Sequence, residues 1–263
     1  MPFNRDDLRA VSSILKTSEN KDVYIQGRFN DLFLYLIEED IPKKYKSLNY
    51  YVEIISLDLF SMETIFLKLM WEKLCWKQNL IGDATWIQFA QIDVDYFHVE
   101  FRSCFDHIAS AINGLPSSHS SPKSFSNLQK WCFKQDTSNN IDVRINNLVK
   151  SCNWFSEIKN LRDSTVHECG TTFIYPDKNS DWTLFQTYKR EKAQILIPEI
   201  MNSQNAVIFE LYASLYFSYL LVFLERLSEI MGTFLGIKFG RGGQTYHPGL
   251  TFFNKWVNEL LLR

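Results

Sequence analysis

Hydrophobic and polar positions along this chain recur mostly with a helical period. Ile55, Leu59, Met62, Phe66 and Leu69 are spaced by three and four, with Glu63, Lys68 and Glu72 assigned to the opposite side; this predicts a long helix starting after about residue 48. A second helix carries Phe97, Phe101, Phe105, Ile108 and Ile112 on one stripe and stops at Asn113-Gly114, with Pro116 just beyond. A polar loop and a short amphipathic piece around Phe125 to Phe133 follow. A third helix then has Ile141, Ile145, Leu148, Cys152 and Phe155 as its stripe. After Gly170 the period shortens. TTFIYP, WTLFQTYK and AQILIP read as strands of a small antiparallel β insertion at about 170–198. A long apolar helix from about Gln204 to Leu235 comes next. The glycine cluster GIKFGRGGQTYHPG then reads as a helix stop and a flexible turn before a last short helix, FFNKWVNELLL. The expected fold is mainly α, a helical bundle with a small antiparallel β insertion before its last long helix. Residues 1–48 form an N-terminal segment without an assigned role. It closes on EEDIPKKYK, Glu38 to Lys46, which reads as a linker to a helical domain over 49–263.

Composition narrows the class. A chain of 263 residues, 46% hydrophobic and 22% charged, can bury one large core and is neither disordered nor fibrous. Ten glycines and seven prolines are few for its length, which disfavours a turn-rich all-β fold. A net charge of −2 excludes a global basic field, so nucleic acid would have to meet a local cluster of Lys and Arg. The five cysteines include no C-x-x-C pair, and the N-terminus carries no apolar signal region. Ala206 to Leu224 is long enough to span a bilayer. Glu210 within it, its Tyr and Ser side chains, and Glu225-Arg226 after it instead favour a core helix that is apolar all round. The expectation is a soluble, cytoplasmic protein with no membrane contact.

Chemistry concentrates at the end of the third helix, in WFSEIKNLRDSTVHECG. The stripe carried forward from Phe155 by two turns reaches Arg162, and an arginine at the edge of a buried face is costly without a partner or a purposeful cavity. His167 follows five residues on. At 100° per residue the two differ by about 140° in direction, so one straight helix does not aim both at a single atom. Either the helix breaks between them or a second copy of the segment completes the site.

Arg162-Asp163-Ser164-Thr165-Val166-His167 resembles the R-x(4–6)-H signature of the HEPN superfamily, in which a polar residue commonly follows the arginine. The resemblance covers the bundle from about residue 49 to 235. It implies a HEPN-like bundle and a metal-independent endoribonuclease needing no cofactor, with an active site formed where two copies of the motif meet in a homodimer. It also implies a toxin–antitoxin or defence role, with RNA as substrate and an antitoxin protein as partner. The residues themselves fit that chemistry. His167 titrates near neutrality and can move the proton of a ribose 2′-hydroxyl. Arg162 can hold two oxygens of a pentavalent phosphorane with its planar fork. Asp163 would orient Arg162 or His167, and Lys159, Ser164 and Thr165 would touch substrate phosphate. Lys150, Lys189, Arg190 and Lys192 are further candidates for a local basic patch. The alternative is a non-catalytic binding module for RNA, nucleotide or protein. In the plainest reading Arg162 pairs with a carboxylate such as Glu168, and His167 is satisfied at a helix end.

Other constellations are weaker. Cys104 and His107, with His167 and Cys169, are ligand types suited to zinc but lack finger spacing, and no metal is assigned. Arg102 and His107 are candidate accessory groups to Arg162. The glycine cluster lacks P-loop order, and neither a G-x-S-x-G nor an H-E-x-x-H motif occurs. Tyr212, Tyr216 and Tyr219 lie at helical spacing and read as packing groups rather than base-stacking ones. No heptad seam or other dimer interface identifies itself.

Overall fold

The computed structural model describes residues 4–38, 45–115, 121–134, 141–167, 171–188, 197–203, 206–240 and 242–263. Its frame is an antiparallel pair of long helices, α3 (Lys46–Lys77) and α4 (Asp83–Asn113), preceded by α1 (Arg5–Ile14) and α2 (Arg28–Glu38). The turn between α3 and α4 is fixed by stacking of Trp76 on Trp86 at 5.1 Å, and Trp76 Nε1 donates to Asp83 at 2.8 Å. Then come α5 (Phe125–Cys132), α6 (Val143–Ser151), α7 (Phe155–His167), α8 (Phe209–Leu235) and α9 (Gly249–Leu262).

The centre of the core is α8. Most of its side chains are buried, among them Tyr212, Phe217 and Leu220. Its N-terminal turn holds Glu210, which lies 3.6 Å from Lys73 of α3 and accepts the backbone N–H of Thr183 at 2.9 Å. The apolar length of α8 is therefore spent on protein contacts, with Phe66 of α3 meeting Phe217 at 5.6 Å. No helix among the described residues is long and apolar enough to cross a membrane. The helix stops at Gly236, whose left-handed φ of 69° suits glycine, as the sequence pattern anticipates.

The fold is mainly α, with an antiparallel sheet before α8 as expected. Its strands are β3 (Thr171–Tyr175), β4 (Leu184–Tyr188) and β5 (Val207–Ile208), in the order β3-β4-β5. The third strand differs from the expected AQILIP, of which residues 193–196 lie outside the described residues. Val207 and Ile208 pair with Phe185 and Leu184 in its place.

Three further findings depart from the sequence pattern. First, β1 (Leu15–Thr17), β2 (Val23–Gln26) and β6 (Gln244–Tyr246) form a second antiparallel sheet in which Tyr24 pairs with Tyr246. The glycine cluster thus contributes a strand as well as a turn. Residues of the first 48 also join α8. Glu225 accepts the N–H groups of Arg28 and Phe29, a carboxylate at the N-terminus of α2, where the helix dipole favours negative charge. The expected linker lies mostly outside the described residues.

Second, the expected third helix is two. Cys152 leaves helical geometry at ψ 52°, and the chain turns through Asn153 and Trp154 before α7 starts. Burial explains the turn, because Trp154 packs edge-on to Phe105 at 5.4 Å and Phe155 meets Phe125 at 4.8 Å.

Third, the polar side assigned to α3 is largely inside. Glu63 and Glu72 are buried. Lys68 joins Glu72 at 3.2 Å and also pairs with Asp93 of α4. Burial and the neighbouring Asp93 push Glu72 up to about 7. Glu63 makes no hydrogen bond among the described residues; His247 Nδ1 lies 3.7 Å away, and burial pushes Glu63 up to about 8.

Candidate functional site

The motif helix α7 is held from its N-terminal end. Phe155, Ile158 and Leu161 are buried, and the Arg102 guanidinium of α4 lies 5.4 Å from the centre of the Phe155 ring. Glu157 accepts from the Tyr216 hydroxyl of α8, tying the first turn of α7 to the core. This fixes which side of α7 can face outward.

Arg162 and Asp163 are both half-buried, near the edge of that face. Arg162 Nη1 donates to Asp163 Oδ1 at 3.1 Å, and Lys159 Nζ approaches Asp163 Oδ2 at 3.4 Å. Burial pushes the Asp163 carboxyl up, but the Arg162 hydrogen bond and the Lys159 charge outweigh it and hold the group below its ordinary value. One carboxylate therefore serves two cations. Pairs this exposed contribute on the order of 0–1 kcal/mol, so Asp163 orients Arg162 without locking it away from a ligand.

The helix runs without a break from Phe155 to His167. Of the two routes by which Arg162 and His167 could converge, a break between them is absent. The separation of about 140° around the axis therefore stands. The side chains of Ser164, Thr165 and His167 lie outside the described residues, as do Glu168, Cys169, Lys189, Arg190 and Lys192. Among the described candidates, the fold brings Arg162, Asp163 and Lys159 together.

The proposed accessory groups go elsewhere. His107 turns toward α3, where its Nδ1 meets Asp58 at 2.7 Å; burial pushes Asp58 up to about 6 despite that contact. Arg102 pairs with Asp106 over Phe155, about 10 Å along α7 from Arg162 at 1.5 Å per residue. Lys150 sits at the end of α6 over the Phe133 ring. Tyr212, Tyr216 and Tyr219 are buried packing groups, as their spacing suggests, and Tyr212 meets His98 at 2.9 Å. Burial lowers His98 to about 4, which keeps it neutral.

One residue near the motif carries no sequence signal. Asp95 of α4 accepts from the Thr172 hydroxyl at 2.6 Å, beside the chain five residues past His167, and burial raises its pKa. A polar cleft of about 230 Å³ opens at the other end of α7, lined by Asn4, Asp7, Asn153, Trp154, Tyr219 and Arg226. There Arg226 is engaged by Asp7 at 3.0 Å, and neither Arg162 nor Asp163 is among the described residues that line the cleft. Among the described residues no group of three or more His, Cys, Asp and Glu side chains is arranged to hold a metal ion. Cys75, Cys104, Cys132 and Cys152 are buried free thiols.

Comparison of the chain with family models, with curated proteins and with solved structures finds no match.

Proposed function

We propose that this chain is a metal-independent endoribonuclease of the HEPN type, a cytoplasmic homodimer with a toxin or defence role, in which Arg162 and His167 are catalytic and Asp163 positions Arg162. The observation that carries the reading is the placement of Arg162. Its guanidinium is half-buried, fixed in direction by Asp163 and accompanied by Lys159, on the helix that also bears His167.

In the reaction, His167 takes the proton of a ribose 2′-hydroxyl as its oxygen bonds to the adjacent phosphorus. The bond from phosphorus to the 5′-oxygen then breaks, and that oxygen takes up a proton. The products are a 2′,3′-cyclic phosphate and a 5′-hydroxyl. Arg162 stabilises the charge that builds on the phosphorane oxygens, where a preorganised cation is most effective. Lys159, Ser164 and Thr165 contact substrate phosphate. Because α7 is straight, His167 of one copy works with Arg162 of another.

A second reading is favoured by the double engagement of Asp163. An arginine already paired with a carboxylate suits a module that holds RNA, nucleotide or a protein partner without cutting it. Cleavage of total RNA by purified protein in excess EDTA, beside Arg162→Ala and His167→Ala, separates the two. Loss of a wild-type activity in both variants supports the enzyme, and RNA retention without cleavage supports the binding module.

A further inference from the structure

The outward side of α3 is largely apolar, Glu53 and Thr64 excepted. Tyr50, Leu57, Thr64 and Trp71 recur every seven residues on it, with Glu53, Phe60, Leu67 and Leu74 between them at spacings of three and four. Tyr50 is 58% exposed, Leu57 60% and Trp71 63%. Exposed, mostly apolar groups at heptad spacing are the geometry of a helix–helix seam, whereas a core-facing stripe follows the 3.6 period and is buried. The stripe runs about 36 Å along one uninterrupted helix, at 1.5 Å per residue.

On α4 a second row, Phe89, Ile92 and Tyr96, is also exposed. It adjoins the first across the α3–α4 contact, where Tyr96 lies near Ser61 of α3. At about 100 Å² for each half-exposed large side chain, the two rows together offer about 800 Å². That exceeds the roughly 300–600 Å² of the largest patch on a typical monomer and equals the share one partner gives to a standard interface.

We infer that this face is a homodimer seam in which α3 packs antiparallel against α3 of a second copy, about a two-fold axis near Met62. The only charge within the stripe decides the direction. A parallel pair in register would set Glu53 against Glu53 of the partner subunit. The antiparallel pair sets Glu53 beside Trp71 of the partner subunit, whose indole N–H can donate to the carboxylate. It also layers Leu57 on Leu67 of the partner subunit and Tyr50 on Leu74 of the partner subunit, in the alternating order of knobs-into-holes packing. Each contact then occurs twice, as a self-complementary interface requires. The seam lies on α3 and α4, not on the motif helix, so it is a contact separate from the one that would join two motif helices and does not rest on the ribonuclease reading.

Sedimentation of the full chain at micromolar concentration tests it, in the absence of RNA. The expected mass is at least twice the 31.0 kDa of one chain, falling by half in Leu57→Glu/Trp71→Glu with unchanged circular dichroism. Leu80→Glu, an exposed apolar position off the stripe, should leave the dimer intact. In a mixture of Leu57→Cys and Leu67→Cys chains, oxidation should yield the mixed disulfide, a readout that survives if the double glutamate variant fails to fold. A wild-type monomer overturns the inference, as does a dimer indifferent to the glutamates, a cross-link joining Leu57→Cys to itself, or capture of an unrelated protein by a face that never self-associates.

Discussion

Glu63 offers a quantitative handle on how the core is built. It is fully buried on α3, makes no hydrogen bond among the described residues, and faces His247 at 3.7 Å, which burial holds below its ordinary value. In the folded chain Glu63 keeps its proton up to about 8, while the unfolded chain loses it near 4.5. Between those values the folded state binds the extra proton, so stability is present at low pH and declines as pH rises through the window. At about 1.4 kcal/mol per pH unit, the interval from 4.5 to about 8 amounts to about 5 kcal/mol. Glu63→Gln keeps the shape and removes the titration. Urea unfolding of both proteins across the window should show the variant gaining on the wild type by about 1.4 kcal/mol per unit, then levelling off above about 8. Parallel curves would refute the reasoning. They would mean that Glu63 titrates in the fold as it does in the unfolded chain.

Other expectations are more compact. Gly249→Ala should cost about 1–3 kcal/mol in urea unfolding, because a Cβ there would come within 2.1 Å of the Glu63 carbonyl oxygen and α9 would have to lift from α3. Lys73→Met should destabilise by about 3–5 kcal/mol at neutral pH, since it leaves the Glu210 carboxylate buried without its cation. Arg162→Ala should leave the melting temperature within a degree or two, its partners being half-exposed, while RNA cleavage falls by on the order of 10²–10³-fold.

What the sequence showed and hid follows from how each feature is encoded. The α3 and α4 stripes, the α4 stop at Asn113 and the β insertion before α8 are local patterns, and local patterns survive into the fold. The outward face of α3 did not announce itself because the helix is apolar on both sides. A stripe through Ile55 and Phe66 and a seam through Leu57 and Trp71 overlap in one string of hydrophobic letters. The charged Glu63 and Glu72 then drew the solvent side to the wrong place. Their burial depends on α9 and α4, which lie far along the chain. The turn at Cys152 to Trp154 contains neither glycine nor proline, and only the pull of Trp154 into the aromatic core sets it. Pairing of β2 with β6 joins residues more than 200 positions apart and leaves no periodic trace. At the motif, the grouping of Lys159, Arg162 and Asp163 was legible as helical spacing. Asp95 was not, since a lone carboxylate on α4 gives no sign that it meets the chain beyond His167.

The account centres on Arg162 and His167 acting from two copies of a straight helix. The most direct test mixes Arg162→Ala and His167→Ala chains after joint unfolding and refolding, then measures RNA cleavage in excess EDTA. If each variant alone is inactive and the mixture recovers part of the wild-type rate, with 2′,3′-cyclic phosphate ends on the products, one intact composite site has been rebuilt as proposed. A wild-type protein that leaves RNA uncut in this assay, or variants that cut it as well as the wild type does, would contradict the account.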